Sequence, residues 1–162
     1  MDYLENARSF HGDLRAANIF LAADFTVKVG NFGLNKILND TDAHKQSRKY
    51  TLRWAAPETV KPGYIDSIKA DVWSFAVLAF EVFTFASEPY ADINVDEIIA
   101  KVSAGYRLPN PSDLGFACEK AAYNLMLDCW SDEPEVRPTF RDVCYLLKDI
   151  FSEDQDIYAS LD

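Results

Sequence analysis

The chain has no apolar run long enough to cross a bilayer. The longest uninterrupted one is Phe75–Phe80, where about 20 residues are needed. Its opening residues, MDYLE, lack the basic-then-apolar order of a secretory signal. Basic residues are scarce: 16 Lys and Arg stand against 26 Asp and Glu, a net charge of −10 in 162 residues. That balance speaks against nucleic acid as a partner, since phosphate binding draws on a surplus of cations. Cysteine is limited to Cys118, Cys129 and Cys144, an odd set in helix-like segments. They are expected to be reduced core thiols in a reducing, cytoplasmic compartment, and none has metal-ligand spacing to His11 or His44. No internal repeat and no Gly/Ser linker divides the chain.

What is present suits one domain with a real core, as 49% of residues are hydrophobic. The first half is irregular. Ile19–Leu21 and Thr26–Val29 flank the turn AADF and predict a small β-ribbon. From Asn35 to Arg53 the chain is polar and without period, a loop of the length that is usually functional or disordered. The second half is helical. Ser67 caps SIKADVWSFAVLAFEVFT, apolar nearly all round from Val72 to Phe83, the pattern of a helix at the centre of a core. Asn94 and Glu97 suggest a capping box for a helix with Val95, Ile98, Ile99 and Val102 on one face and Gly105 as its stop. Ala122, Leu125, Met126, Cys129 and Trp130 mark a third helix. Thr139 with Asp142 starts a fourth, whose apolar face is Phe140, Val143, Leu147, Ile150 and Phe151. The fold class expected is mainly α with a short β-ribbon.

The polar turn HGDLRAAN carries the chemistry. Phosphoryl transfer needs a carboxylate beside the attacking hydroxyl, oxygen ligands for Mg²⁺ and a segment that places the acceptor. Asp13 and Asn18 suit the first two roles, and Asn31 would return to the same end of the ribbon. Taken alone, Asp13 and Asn18 are more often turn and cap residues than catalysts.

Five motifs change that weighting: HGDLRAAN (11–18), NFG (31–33), RWAAPE (53–58), DVWSF (71–75) and CWSDEPEVRPTF (129–140). In order and spacing they resemble the C-terminal lobe of a protein kinase, part of a two-lobed α+β fold, from Met1 to about Phe151. RAAN and RWAAPE are similar to the cytoplasmic, Src-like tyrosine kinases. The resemblance implies ATP and Mg²⁺ as cofactors, and as partner a tyrosine-bearing protein or peptide, or a regulatory protein. Position by position, it implies that Asp13 orients the acceptor tyrosine and takes its proton, Arg15 neutralises the γ-phosphate and Asn18 holds Mg²⁺. Leu52, Arg53 and Trp54 would line the acceptor platform. Glu58 and Arg137 would pair to lock that platform to the helical body, Asp71 would bond the catalytic-loop backbone, and His11 would be a structural histidine.

The departures are as informative. The metal-binding aspartate of the family's DFG is Asn31, a weakened ligand, because Mg²⁺ favours carboxylates. The HRD arginine is Gly12, and no tyrosine stands between Gly33 and Tyr50 to take the activating phosphate that this arginine would bind. Nothing resembles the glycine-rich loop, the ATP-anchoring lysine or its glutamate partner, so the N-terminal lobe is expected to be missing and Met1 to be internal. Thr51 replaces a usual proline and Ala76 a glycine. The tail SEDQDIYASLD has four carboxylates and no base, and is expected to be a disordered end, with a phosphotyrosine site at Tyr158 as the alternative. The chain alone is expected to be inactive. Its alternatives are a pseudokinase scaffold or allosteric module, a piece of a working tyrosine kinase, and a non-functional fragment.

Overall fold

A computed structural model describes residues 1–32 and 51–152. Expectations for Gly33, His44, Tyr50, the polar loop around them and the tail with Tyr158 lie outside the described residues.

The architecture is mainly α with one ribbon. A short helix α1 (Asp2–Asn6) leads into the polar turn, and strands β1 (Ile19–Leu21) and β2 (Val27–Val29) then pair antiparallel. Ile19 stands opposite Val29 and Leu21 opposite Val27. Four longer helices follow: α2 (Ile68–Phe83), α3 (Val95–Ser103), α4 (Lys120–Cys129) and α5 (Phe140–Ile150). Helix α2 packs on α4, α4 on α5, and α5 on α1. Among the described residues no helix is long and apolar enough to cross a membrane.

Local chemistry explains the helix ends. The Ser67 side chain accepts from the Lys69 N–H at 3.1 Å and opens α2. Thr139 and Asp142 form a full capping box at α5, with bonds of 3.1 and 3.0 Å in the two directions. At α3, Asn94 caps the Asp96 N–H instead of sharing a box with Glu97. Helix α3 runs out at Gly105, whose φ of +95° suits a residue without Cβ.

Helix α2 is the centre of the core, and Val72, Trp73, Ala76 and Val77 are wholly buried. Each large side chain so buried contributes about 1.5–3 kcal/mol. Two guanidinium groups lie over the Trp73 indole, Arg107 at 4.8 Å from the ring centre and Arg137 at 5.1 Å.

The near-continuous apolar surface expected from Val72 to Phe83 is mostly turned into the core, with Val82 65% exposed and Glu81 a buried acid among it. One expectation needs correction: the cysteines are not all core thiols. Cys129 is buried, but Cys144 is exposed on α5, and Cys118 is half-buried in the irregular stretch before α4. Residue spacing placed Cys144 on a helix but not on the exposed flank of α5.

Candidate functional site

The turn from His11 to Asn18 is held from below by α2. Asp71, in the first turn of that helix and 2% exposed, accepts the backbone N–H groups of His11 (2.5 Å) and Gly12 (2.8 Å). Burial raises its pKa above the ordinary carboxylate value, and the His11 and Gly12 N–H groups oppose the rise. His11 is buried with both ring nitrogens bonded. The Asp13 N–H donates to Nδ1 at 3.1 Å, so Nδ1 is the acceptor and Nε2 carries the proton toward the Gly30 carbonyl at 2.8 Å. The histidine is a strut between turn and ribbon.

Above that base the functional side chains converge. Arg15 grips Asp13 with Nε–Oδ1 at 2.9 Å and Nη2–Oδ2 at 3.3 Å. Asn18 donates Nδ2 to the Asp13 carbonyl at 2.6 Å and to Asp13 Oδ2 at 2.8 Å. Both partners are acceptors only, which fixes the Asn18 amide with Oδ1 facing away. Asn31 meets that oxygen, its Nδ2 donating at 2.7 Å. The ribbon delivers Asn31 there: Gly30 N–H bonds the Asn18 carbonyl at 2.9 Å, and Asn31 takes a φ of +60°, which asparagine tolerates better than most residues. Gly30 leaves room for the Phe20 ring, which a Cβ there would push aside.

Beside this turn, at the residues the resemblance assigns to the acceptor, a cavity of about 500 Å³ opens between Gly12, Asp13 and Asp71 on one wall and Leu52, Trp54 and Tyr64 on the other. Burial pushes the Tyr64 hydroxyl up to about 12. Trp54 lies under the Arg15 guanidinium, 5.7 Å from its ring centre, and donates Nε1 to Glu81 Oε2 at 2.8 Å. The same Oε2 takes the Ala16 N–H at 3.0 Å. Arg53 faces away, donating to the Pro89 and Tyr90 carbonyls at 2.9 and 2.8 Å and pairing with Glu88 at 2.9 Å. Glu58 and Arg137 meet in two bonds of 2.6 and 2.9 Å, with Arg137 also donating to the Ser131 and Lys69 carbonyls.

The structure thus brings Asp13, Arg15, Asn18 and Asn31 into one network, sets Trp54 beside it, and places His11, Asp71, Glu58 and Arg137 as supports. Leu52 lines the cavity, while Arg53 is tied to the loop after α2. Three contributors escaped sequence reasoning: Glu81, Gly30 with Phe20, and Lys69, whose Nζ donates to the Arg137 carbonyl at 2.6 Å. Only Glu81 left a signal, a lone acid inside the apolar run AFEVF.

A divalent cation fits these residues poorly. Both Asp13 oxygens are engaged, Asn18 Oδ1 is bonded to Asn31, and position 31 supplies a neutral amide where a hard cation favours a carboxylate. Among the described residues, no three His, Cys, Asp or Glu gather as a metal-binding group.

Comparison with known proteins identifies the class. The family model for protein tyrosine and serine/threonine kinase matches residues 1–147. The chain belongs to that family. It is 44% identical over 144 residues to tyrosine-protein kinase SPK-1 of Girardia tigrina, covering 86% of this chain and 29% of that protein. It is 37% identical over 158 residues to human tyrosine-protein kinase FRK, covering 95% of this chain and 30% of that protein. The chain spans less than a third of the length of these curated relatives, at 29% and 30%.

Proposed function

We propose that residues 1–151 are the C-lobe portion of a tyrosine-kinase-like domain that keeps the acceptor platform and has lost efficient phosphoryl transfer. It would serve as a pseudokinase scaffold or allosteric module in the cytoplasm, with a regulatory protein or a tyrosine-bearing peptide as partner. The observation that carries this reading is the neutral amide of Asn31 beside Asn18 and Asp13. ATP and Mg²⁺ serve the family, but without a carboxylate at position 31 several kcal/mol of charge stabilisation are missing. A deficit of about 4 kcal/mol is about a thousandfold in rate. Gly12 in place of the arginine that would bind an activating phosphate points the same way. Both curated relatives are named as tyrosine kinases, and Arg15 with RWAAPE supports tyrosine as the acceptor class.

A second reading, a slow but working kinase in a longer parent protein, is favoured by the intact cluster of Asp13, Arg15 and Asn18. A longer protein, given MgATP and a poly-Glu/Tyr acceptor, decides between them. The pseudokinase reading expects no transfer above background and no Mg²⁺-dependent thermal stabilisation by ATP. Transfer at ordinary enzyme rates that vanishes in Asp13→Asn would overturn it.

A further inference from the structure

We propose that Asn31 is a latch that closes the site without a divalent cation, its amide N–H occupying the one side-chain oxygen of Asn18 that a metal would require. This deepens the reading above and rests on it, yet it makes a separate claim. Loss of a charge would leave a weak metal site, whereas a latch replaces the metal's structural work.

The hydrogen-bond chemistry is one-directional. Asn18 Nδ2 is committed to two acceptors, the Asp13 carbonyl and Oδ2 at 2.6 and 2.8 Å. Its Oδ1 therefore faces position 31, and only a donor there completes it. Asn31 supplies that donor at 2.7 Å. Three bonds then join residues 30 and 31 to the turn: Gly30 N–H to the Asn18 carbonyl, His11 Nε2–H to the Gly30 carbonyl, and Asn31 Nδ2–H to Asn18 Oδ1. Asn18 is 3% exposed while Asn31 is exposed, so the latch is shielded from water on the Asn18 side alone. Aspartate at position 31 would set a carboxylate oxygen against Asn18 Oδ1 with no proton between them, and the pair would call for a cation.

The test uses the full chain and three probes: MgCl₂, MnCl₂, and NaCl at matched ionic strength. In the native chain the latch predicts no saturable Mn²⁺ binding by EPR. It also predicts an Asn31 side-chain NH₂ signal at the shift of a hydrogen-bonded amide, assigned by its loss in Asn31→Asp and unmoved by Mg²⁺. Asn31→Asp should melt about 2–8 °C lower in EDTA and regain that shift with Mg²⁺ but not with NaCl. Asn31→Ala, which removes the donor without adding charge, should melt lower and show no cation response. Saturable Mn²⁺ binding by the native chain, or an Asn31→Asp variant as stable in EDTA as the native chain, would overturn the latch. Should Asn31→Asp fail to fold, assignment passes to Asn31→Ala, and the native-chain spectra decide. Phosphate transfer by a longer protein would defeat the proposed loss of catalysis, while a Mn²⁺ signal in this chain would defeat the latch, so the two claims fail separately.

Discussion

Glu81 gives the sharpest quantitative test of how the site is supported. Its Oε2 serves two donors from different segments, the Ala16 N–H of the HGDLRAAN turn at 3.0 Å and the Trp54 indole N–H at 2.8 Å. The side chain is 8% exposed, so water cannot readily replace it. In Glu81→Ala both donors lose their partner, and a buried unsatisfied donor costs about 1–3 kcal/mol. Two such losses amount to roughly 3–5 kcal/mol once partial relaxation is allowed. At about 2–4 °C per kcal/mol for a chain of this size, the melting temperature should fall by roughly 10 °C. Glu81→Gln can turn its carbonyl oxygen to the same two donors. It forfeits only the strengthening that a charged acceptor gives, about 1 kcal/mol. Urea denaturation of the three proteins, followed by tryptophan fluorescence, measures the series. The Trp54 indole proton should exchange slowly in the native chain and in Glu81→Gln, and quickly in Glu81→Ala. The reasoning is refuted if Glu81→Ala costs less than about 1 kcal/mol, or if Gln costs as much as Ala.

Further outcomes follow from the other supports. Arg137→Lys cannot reproduce the two-pronged contact with Glu58 or the stacking on Trp73, and should cost about 3–5 kcal/mol in urea melts, with Glu58→Gln non-additive to it. Gly30→Ala drives a Cβ into the ring of the half-exposed Phe20, which can turn aside, and should cost about 0.5–1.5 kcal/mol in urea melts, a loss that Phe20→Leu in the same chain should partly relieve. For Asp71 the sign runs against the usual carboxylate. Its folded pKa is raised, so the folded chain binds more protons than the unfolded one, and that stabilisation is complete below the ordinary value of 3.8 and lost as pH rises through the folded pKa. Asp71→Asn leaves either the His11 or the Gly12 N–H without an acceptor. Its cost should therefore shrink as chemical denaturation is repeated at pH values rising from about 4.

Much of the scaffold could be read from residue order, because caps and apolar periodicity act locally. Ser67, Thr139 with Asp142, and the Ala122 to Trp130 face each declare a helix within a few residues. The Asn94–Glu97 box failed because its residue types also fit a lone asparagine cap. Within the site, motif spacing correctly grouped Asp13, Asn18 and Asn31, and Glu58 with Arg137. Which atom of Asn31 faces Asn18 was not legible, since an amide can present either end and the choice depends on what Asp13 leaves open. Glu81 was passed over for a related reason. An acid in an apolar helix announces that it needs partners, but those partners lie 65 and 27 residues away.

The doubly stacked indole of Trp73 has an uneven electrical environment. Of the two guanidinium groups over it, Arg137 is paired with Glu58 almost shut off from solvent, at 0% and 13% exposure, while Arg107 leans on Asp132, which is 64% exposed. Concentrated salt shortens the reach of charges only where ions can approach. The protein should therefore soften around Arg107 first, letting the end of α3 loosen while the Glu58–Arg137 join stays shut.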